Sequence, residues 1–180
     1  VIQYRVNSGF VTSDHWVHSE GEGRSRIVGE MTHFIDLLNS ITGSSISRVH
    51  AERIGGDNQS AVNNDNIAVT LKFEEGSVAN LTYAASGDKA YSREKIEIFY
   101  EGNTMVSEDF RISKKHFGGK AETFKTHGQE MGYREELKHF ISLFKGEESK
   151  TVTLNEAFQT MRTVFAIETS LSTGQAIRLS

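Results

Sequence analysis

Hydrophobic residues recur with the period of an α-helix in three segments of the chain. The first pattern predicts an amphipathic helix from residue 26 to about residue 39, with an apolar stripe at i, i+4, i+7 and i+11. The second predicts a helix that ends at Gly146, and the third a helix that starts at a capping box of Thr153 and Glu156. The three stripes consist of Ile27, Met31, Phe34 and Leu38; of Tyr133, Leu137, Phe140, Ile141 and Phe144; and of Phe158, Met161 and Phe165, which we expect to face inward.

Alternating apolar and polar residues predict strands between and around these helices. Ile67, Val69, Leu71 and Phe73 alternate with polar or small residues, and a turn at 74–76 leads into a returning strand. Other predicted strands cover 2–7, 47–54, 77–84, 95–100, 104–107, 109–113, 123–126 and 176–179. Because short turns join successive strands, most neighbours should be antiparallel. The predicted fold is α+β, with a large, mostly antiparallel, open-faced sheet and about three helices packed on one face.

Composition fits one domain and excludes several classes of function. The chain has 180 residues, enough for a sizeable core, and we assign residues 1–180 to a single domain. A net charge of −4 with both signs interspersed argues against a nucleic-acid-binding surface. The absence of cysteine excludes a disulfide framework, a thiolate nucleophile and a zinc knuckle. No apolar run approaches the roughly 20 residues that span a bilayer, and no signal peptide is visible, so we expect no membrane partner and a cytoplasmic location.

The first helix also carries an ionisable stripe. Arg26, Glu30 and His33 fall at i, i+4 and i+7, on one side of the helix. The stripe has two interpretations, the wall of an active site or a solvated face with one ordinary histidine, and the pattern alone favours the second. Arg26 opposes the helix dipole at the start of the helix, which indicates an anionic neighbour. His15 and His18 lie in the preceding loop without a third ligand at a recognised spacing, so no metal site is predicted.

Short motifs in a fixed order resemble one family. The motifs are Tyr4-Arg5-Val6-Asn7, His15-Trp16, Arg26-Ile27-Val28-Gly29-Glu30, His33-Phe34-Ile35-Asp36, Asp65-Asn66-Ile67 to Phe73, Gly76-Ser77-Val78, Ser92-Arg93-Glu94 to Glu97, and Asp109-Phe110-Arg111. Together they resemble the C-terminal domain of the Gfo/Idh/MocA family of NAD(P)-dependent sugar and polyol dehydrogenases. In that family the helix carries an Asp four residues before its His. This chain has Gly29 there, and Glu30 is the candidate substitute.

The resemblance implies a substrate-binding and oligomerisation domain of a dehydrogenase. His33 would exchange the proton of the hydroxyl undergoing hydride transfer, and Glu30 is the second catalytic candidate. The substrate-binding candidates are Arg5, Asn7, Trp16 and Arg26. The substrate would be a sugar, a polyol or a sugar nucleotide, and homo-oligomers would form through the open sheet face. NAD or NADP would be bound mainly by an N-terminal Rossmann domain, which we expect to be absent from this chain because it has no G-x-G-x-x-G segment.

Two other functions stay open at this point. The first is a non-catalytic scaffold or ligand-binding module derived from the same family, which Gly29 favours. The second is an α+β hydrolase or lyase built on the same helix, although no G-x-S-x-G elbow is present. The dehydrogenase hypothesis further predicts that the isolated chain is inactive, since the cofactor domain would be missing.

Overall fold

The strand order places the first strand of the chain in the middle of the sheet. The computed structural model describes residues 1–23, 25–56, 62–147 and 152–179, and within them nine strands form one sheet. The strands are β1 (Ile2–Asn7), β2 (Ile46–Arg53), β3 (Asn66–Phe73), β4 (Val78–Ala84), β5 (Glu94–Tyr100), β6 (Asn103–Glu108), β7 (Ile112–Phe117), β8 (Lys120–Lys125) and β9 (Ile177–Arg178). Their order is β8-β7-β6-β5-β1-β4-β3-β2-β9. Strand β1 pairs parallel with β4, and all other neighbours are antiparallel.

Tight turns join four pairs of successive strands: β3–β4, β5–β6, β6–β7 and β7–β8. Gly76, at φ +106°, closes the predicted β3–β4 hairpin, a backbone conformation that side chains other than glycine rarely adopt. Strand β7 begins three residues later than predicted, because Asp109 and Phe110 both have positive φ and form a turn instead. The side chain of Asp109 accepts a hydrogen bond of 2.7 Å from the backbone amide of Glu94, which holds this turn against β5.

Within the described residues, three α-helices accompany the sheet: α1 (Arg26–Thr42), α2 (Tyr133–Phe144) and α3 (Leu154–Thr173). The α+β class and the mostly antiparallel sheet are therefore confirmed. Helix α1 begins after the N-cap Ser25 and ends at Gly43, and it buries the predicted apolar stripe. The ring of Phe34 packs edge-on against Tyr4 of β1, with centroids 5.5 Å apart. Helices α1 and α3 contact each other, and α3 packs along β2, so both share one face of the sheet.

Helix α3 buries the face opposite to the one predicted. Phe158 and Phe165, which were expected to point inward, are exposed. The buried side consists of Thr160, Thr163, Val164, Ala166, Ile167 and Ser170. Because these residues are mostly small or β-branched, α3 can approach β2 and α1 closely. The buried hydroxyl of Thr163 donates a hydrogen bond to the carbonyl of Gln159.

Helix α2 forms as predicted but packs differently from the other two. All its residues are exposed or partly exposed, and within the described residues no strand or other helix lies along it. No described helix covers the opposite face of the sheet, where polar side chains predominate on β1, β3 and β4 and Phe99 of β5 is exposed. Thr70 and Asn80 are hydrogen-bonded there across two strands at 3.0 Å, and Lys95 pairs with Glu97 at 3.0 Å. No described helix is both long enough and apolar enough to cross a membrane.

Candidate functional site

Arg26 is the centre of a buried ionic cluster at the start of α1. Ser25 caps the helix, so Arg26 is its first residue, where a cation is normally unfavourable. The structure explains this placement by the partners of the guanidinium. Nη1 donates to the carbonyl oxygen of Gly9 at 2.9 Å, and Nε donates to Glu30 Oε1 at 2.9 Å. Burial alone would lower the pKa of Arg26, but Tyr83, Glu30 and Asp65 together raise it, so this side chain is a permanent cation.

Asp65 supplies the second carboxylate of the cluster. It lies just before β3, is only 1% exposed, and has Oδ2 at 3.6 Å from Arg26 Nη1 and 3.5 Å from His18 Nε2. Burial raises the pKa of the Asp65 carboxyl, while His18 and Arg26 limit the increase. Asp65 therefore joins three segments: the loop before α1, the helix itself and the start of β3.

Glu30 links this buried cluster to the sheet. Its Oε1 is bound by Arg26, and its Oε2 lies 3.8 Å from Nη2 of the half-exposed Arg93. Arg93 also approaches Glu94 at 3.5 Å, and Glu94 accepts a hydrogen bond from the Tyr4 hydroxyl. The candidate Glu30 is thus held between two arginines, and it is oriented by them rather than by His33.

His33 lies on the exposed side of α1, one turn after Glu30. Among the described residues it has no hydrogen bond or ion pair, so its ring is available to a ligand. Glu30 and His33 share a helix face as predicted, but both oxygens of Glu30 face arginines, and the structure shows no bond between the two candidates.

Arg5 and Asn7 lie on the other face of the sheet from α1. In β1 they alternate with the buried Tyr4 and Val6, so their side chains point to the open side. Arg5 stacks on Tyr91 with its Cζ 4.6 Å from the ring centroid, and it donates to the carbonyl and the hydroxyl of Ser92. The sequence predicts these two residues on a first strand that leads toward the cleft of His33, and in the structure the sheet lies between their side chains and α1.

Asn7 ties the loop after β4 to the end of β1. Its amide nitrogen donates to the carbonyl of Asp88 at 2.7 Å, and its Oδ1 lies where a Cβ on Gly87 would be only 2.2 Å away. The backbone amide of Asn7 donates to the carbonyl of Arg93 at 2.6 Å. Arg5 and Asn7 therefore influence the ionic cluster only indirectly. They hold in place the loop that carries Arg93, and the Arg93 side chain reaches Glu30.

Trp16 stands on the loop that covers the start of α1. It opens a short 3-10 helix, Trp16–His18, whose N-cap is His15, and its indole is exposed beside the His15 ring. His18 anchors this short helix to Asp65. Trp16 is therefore a solvent-facing aromatic surface close to the cluster. Within the described residues, no three His, Asp or Glu side chains are arranged to hold a metal ion.

The sequence analysis did not single out Asp65, Arg93 or Glu94 as site residues. The local sequence around Asp65 indicates only a polar turn, and Arg93 and Glu94 look like charged residues at the start of a strand. Their roles depend on pairs that are distant in sequence, which periodicity does not report. Two signals were available: the unfavourable position of Arg26 at a helix start, which indicated an anionic neighbour, and the family motifs, which include all three residues.

Solved structures with the same fold include oxidoreductases and a repressor. An NAD-binding oxidoreductase from Klebsiella pneumoniae matches 99% of this chain at 14% identity, with a TM-score of 0.79. Aldose-aldose oxidoreductase from Caulobacter crescentus, complexed with glycerol, matches 99% at 15% identity, with a TM-score of 0.77. A super-repressor mutant of Gal80p from Saccharomyces cerevisiae matches 98% at 15% identity, also with a TM-score of 0.77. This chain spans 58%, 55% and 57% of those three chains, and at such identities the likeness shows the fold alone.

The fold is therefore an α+β domain that oxidoreductases use for about half of their length. The chain belongs to the Gfo/Idh/MocA oxidoreductase family, because the family's model for the C-terminal alpha/beta domain matches residues 1–179. This confirms the resemblance seen in the sequence motifs. No curated protein sequence matches the chain significantly.

Proposed function

We propose that this chain is the substrate-binding and dimerisation domain of a longer NAD(P)-dependent sugar or polyol dehydrogenase. The observation that carries the proposal is His33, an exposed and unbonded imidazole one helical turn from the ion-paired Glu30. The matches to an NAD-binding oxidoreductase and to an aldose-aldose oxidoreductase support the cofactor and the substrate class.

The proposed role of His33 is to exchange one proton with the substrate. When a secondary alcohol becomes a ketone, the hydroxyl proton leaves as the carbon loses hydride. A neutral imidazole near physiological pH can accept that proton, and the imidazolium returns it in the reverse direction. The nicotinamide supplies the hydride chemistry when it is bound. This chain has no glycine-rich dinucleotide fingerprint, so the cofactor would be held mainly by the N-terminal Rossmann domain of the longer protein.

The ionic cluster would position the wall of the substrate site. Arg26 and Arg93 each lie close to one oxygen of Glu30, and Asp65 lies within ion-pair distance of Arg26. The Glu30 carboxylate, one helical turn before His33, therefore has few alternative positions. Each cation already faces a carboxylate, which suits hydroxyl groups as ligands better than a free anion. The exposed indole of Trp16 offers an apolar surface against a sugar ring.

The open sheet face is the proposed dimer contact. It carries polar and charged side chains and no described helix covers it, so two copies could pair it about a two-fold axis. Sedimentation velocity of the longer protein measures this directly, with a dimer expected.

The test of the catalytic proposal is His33→Ala in the longer protein. Turnover of sugars, followed by nicotinamide absorbance, should fall at least about 100-fold, because general-base contributions are of that order. Cofactor affinity and the unfolding midpoint should stay unchanged. The matched control is His139→Ala, since His139 is exposed on α2 and should leave turnover intact. Wild-type turnover in the His33 variant would refute the role.

A non-catalytic ligand-binding module is the second candidate. Gly29 occupies the place where the resemblance puts an aspartate, and one of the matched structures is a repressor. This function predicts that the longer protein binds a nicotinamide nucleotide and a sugar without turnover, so calorimetry combined with the absorbance assay separates the two.

A further inference from the structure

The loop between β1 and α1 has few contacts with the rest of the domain. All residues from 10 to 22 are described, and none of them belongs to the hydrophobic core. Their hydrogen bonds stay inside the loop, as when the amide of His18 donates to the carbonyl of His15 at 2.9 Å. Among the described residues, the polar contact that ties this segment to the body of the domain is the ion pair of His18 with Asp65. Because a segment with so few buried contacts opens easily, this pair decides how firmly the loop closes.

Asp65 ends a row of alternating charges. Arg93 lies between Glu94 and Glu30, at 3.5 Å and 3.8 Å. Arg26 lies between Glu30 and Asp65, at 2.9 Å and 3.6 Å. Three carboxylates therefore face two arginines, and the row carries one negative charge more than it carries positive charges.

The excess negative charge falls at the Asp65 end of the row. At the other end, Glu94 accepts a hydrogen bond from the buried Tyr4 hydroxyl. Asp65 is just as buried, but no hydrogen bond from a described residue reaches either of its side-chain oxygens. His18 Nε2 is buried and likewise without a hydrogen bond, 3.5 Å from Asp65 Oδ2. A carboxylate that is withdrawn from water without a balancing charge is costly, so this end of the row has a use for one proton.

The groups around the His18–Asp65 pair come from three elements. Helix α1 contributes Arg26 and Glu30, which already pair with each other. Strand β4 contributes Tyr83, whose ring lies beside the Arg26 guanidinium and whose pKa is raised by burial, so the phenol is neutral. In the loop, His15 caps the 3-10 helix at the end away from His18. The acidic residues of the loop, all exposed, are Asp14, Glu20 and Glu22. Among the described residues that face Asp65, His18 is therefore the group that can gain a positive charge.

We propose that the loop closes on the ionic cluster with uptake of one proton from solvent by the His18–Asp65 pair. With this proton, the imidazolium balances the carboxylate and donates to it from Nε2. Without it, closure withdraws an uncompensated carboxylate from water, and opening lets water solvate Asp65 again. The closed loop is therefore favoured at acidic pH and weakens as pH rises through the range in which histidines lose their charge. Burial of Asp65 acts in the same direction, because it raises the pKa of that carboxyl.

This inference goes beyond the proposed function and does not depend on it, because it concerns a proton and a loop and involves no substrate. The loop carries the exposed indole of Trp16 in the same 3-10 helix as His18, and this helix contacts α1. Proton uptake fixes the indole beside α1, and loss of the proton releases it.

The test is hydrogen exchange of the backbone amides of residues 17–19, measured by mass spectrometry on the longer protein from about pH 5 to about pH 8.5. Rates are corrected for the intrinsic pH dependence of exchange, which leaves the protection that the closed loop gives. In the wild type this protection should fall as pH rises, with a slope of up to about tenfold per pH unit, the limit for one proton. The effect should be confined to the loop, and the amides of α1 should keep their protection.

Three variants separate charge from structure. His18→Gln keeps a donor but cannot take the proton, so its loop should have low protection that no longer depends on pH. His18→Lys keeps a positive charge over the whole range, so its loop should stay protected at the alkaline end. The matched control is His15→Asn, at an exposed position in the same loop, where asparagine retains a capping side chain. Its protection should follow the wild-type curve, and circular dichroism verifies that each variant is folded.

Three results would overturn the proposal. Protection of residues 17–19 that does not change with pH in the wild type would show that closure takes up no proton. An unaltered pH dependence in His18→Gln would place the proton on another group. Loss of protection at alkaline pH in His18→Lys would show that positive charge at this position does not close the loop.

Discussion

Replacing Tyr4 with phenylalanine tests the polar link between the sheet and the cluster. Tyr4 is a buried residue of β1, and its hydroxyl donates to Glu94, itself buried, which in turn lies 3.5 Å from Arg93. The substitution keeps the ring and its edge-on contact with Phe34. It removes only the hydroxyl, so the loss should report the hydrogen bond to Glu94.

The expected cost at neutral pH follows from the charge on the acceptor. Hydrogen bonds to charged groups contribute about 1.5–3 kcal/mol, and a buried carboxylate that loses its donor keeps the desolvation penalty. Tyr4→Phe should therefore lower the free energy of unfolding by about 1.5–3 kcal/mol. The slope of the urea dependence should not change, because the surface exposed on unfolding is the same.

The difference in the free energy of unfolding between the wild type and Tyr4→Phe should also depend on pH, and it should become smaller at alkaline pH. Burial, together with Glu94, raises the pKa of the Tyr4 phenol in the folded protein, whereas the unfolded chain releases this proton near pH 10. Tyr4 therefore contributes stability that is complete below about pH 10 and is lost as pH rises toward the folded pKa, at about 1.4 kcal/mol per pH unit. Burial likewise raises the pKa of Tyr83, so the wild type should lose about twice that amount per unit.

The assay is urea unfolding followed by circular dichroism at a series of pH values from about 7 to about 11.5. The curve of Tyr4→Phe should start lower and fall less steeply, so the two curves converge as pH rises. Tyr100→Phe, which removes an exposed hydroxyl, should follow the wild type throughout. Equal alkaline slopes for Tyr4→Phe and wild type would show that the phenol ionises freely in the folded state, and the account of its burial would be wrong.

Two further substitutions test the packing around the site. Ser170→Ala should lower the free energy of unfolding, measured with urea, by about 2–4 kcal/mol. The buried Ser170 hydroxyl accepts a hydrogen bond from the amide of Ala51 at 2.9 Å and donates one to the carbonyl of Gln175, after α3. The control Ser172→Ala, at an exposed position, should be nearly neutral. Gly87→Ala should cost about 1–3 kcal/mol, because its Cβ would lie 2.2 Å from Asn7 Oδ1 and would press the loop off β1; an unchanged thermal midpoint would contradict this.

Local patterns predicted the elements of this fold well. Helix α1, its glycine stop and the β3–β4 hairpin follow from periodicity and turn residues, which act within a few positions. Helix α3 shows the limit of this reasoning. Both of its faces carry apolar residues, and the aromatic face seemed the better core. The buried face uses threonine, serine and alanine because α3 approaches β2 closely, a requirement set by tertiary packing.

The candidate site was predicted only where it lies on one helix. Arg26, Glu30 and His33 share a stripe, and the structure keeps them on α1. The partners that hold Glu30 and Arg26 come from the loop before β5 and from the turn before β3, and hydrophobic periodicity carries no information on such distant pairs. Arg5 and Asn7 were named as substrate candidates on a first strand leading toward the same cleft as His33, and that role stays a prediction, although their side chains point to the sheet face opposite Tyr4.

The central position of β1 has a consequence for how the chain folds. Among the nine described strands of this domain, β1 is synthesised before the others, but its two neighbours begin only at Val78 and Glu94. The strands from β5 to β8 form successive hairpins that can pair as soon as they emerge, whereas closing the loops around β1 costs more entropy and slows that step. Until β1 inserts, both half-sheets expose unpaired inner edges, so we expect the late insertion of β1 to be the stage most exposed to aggregation.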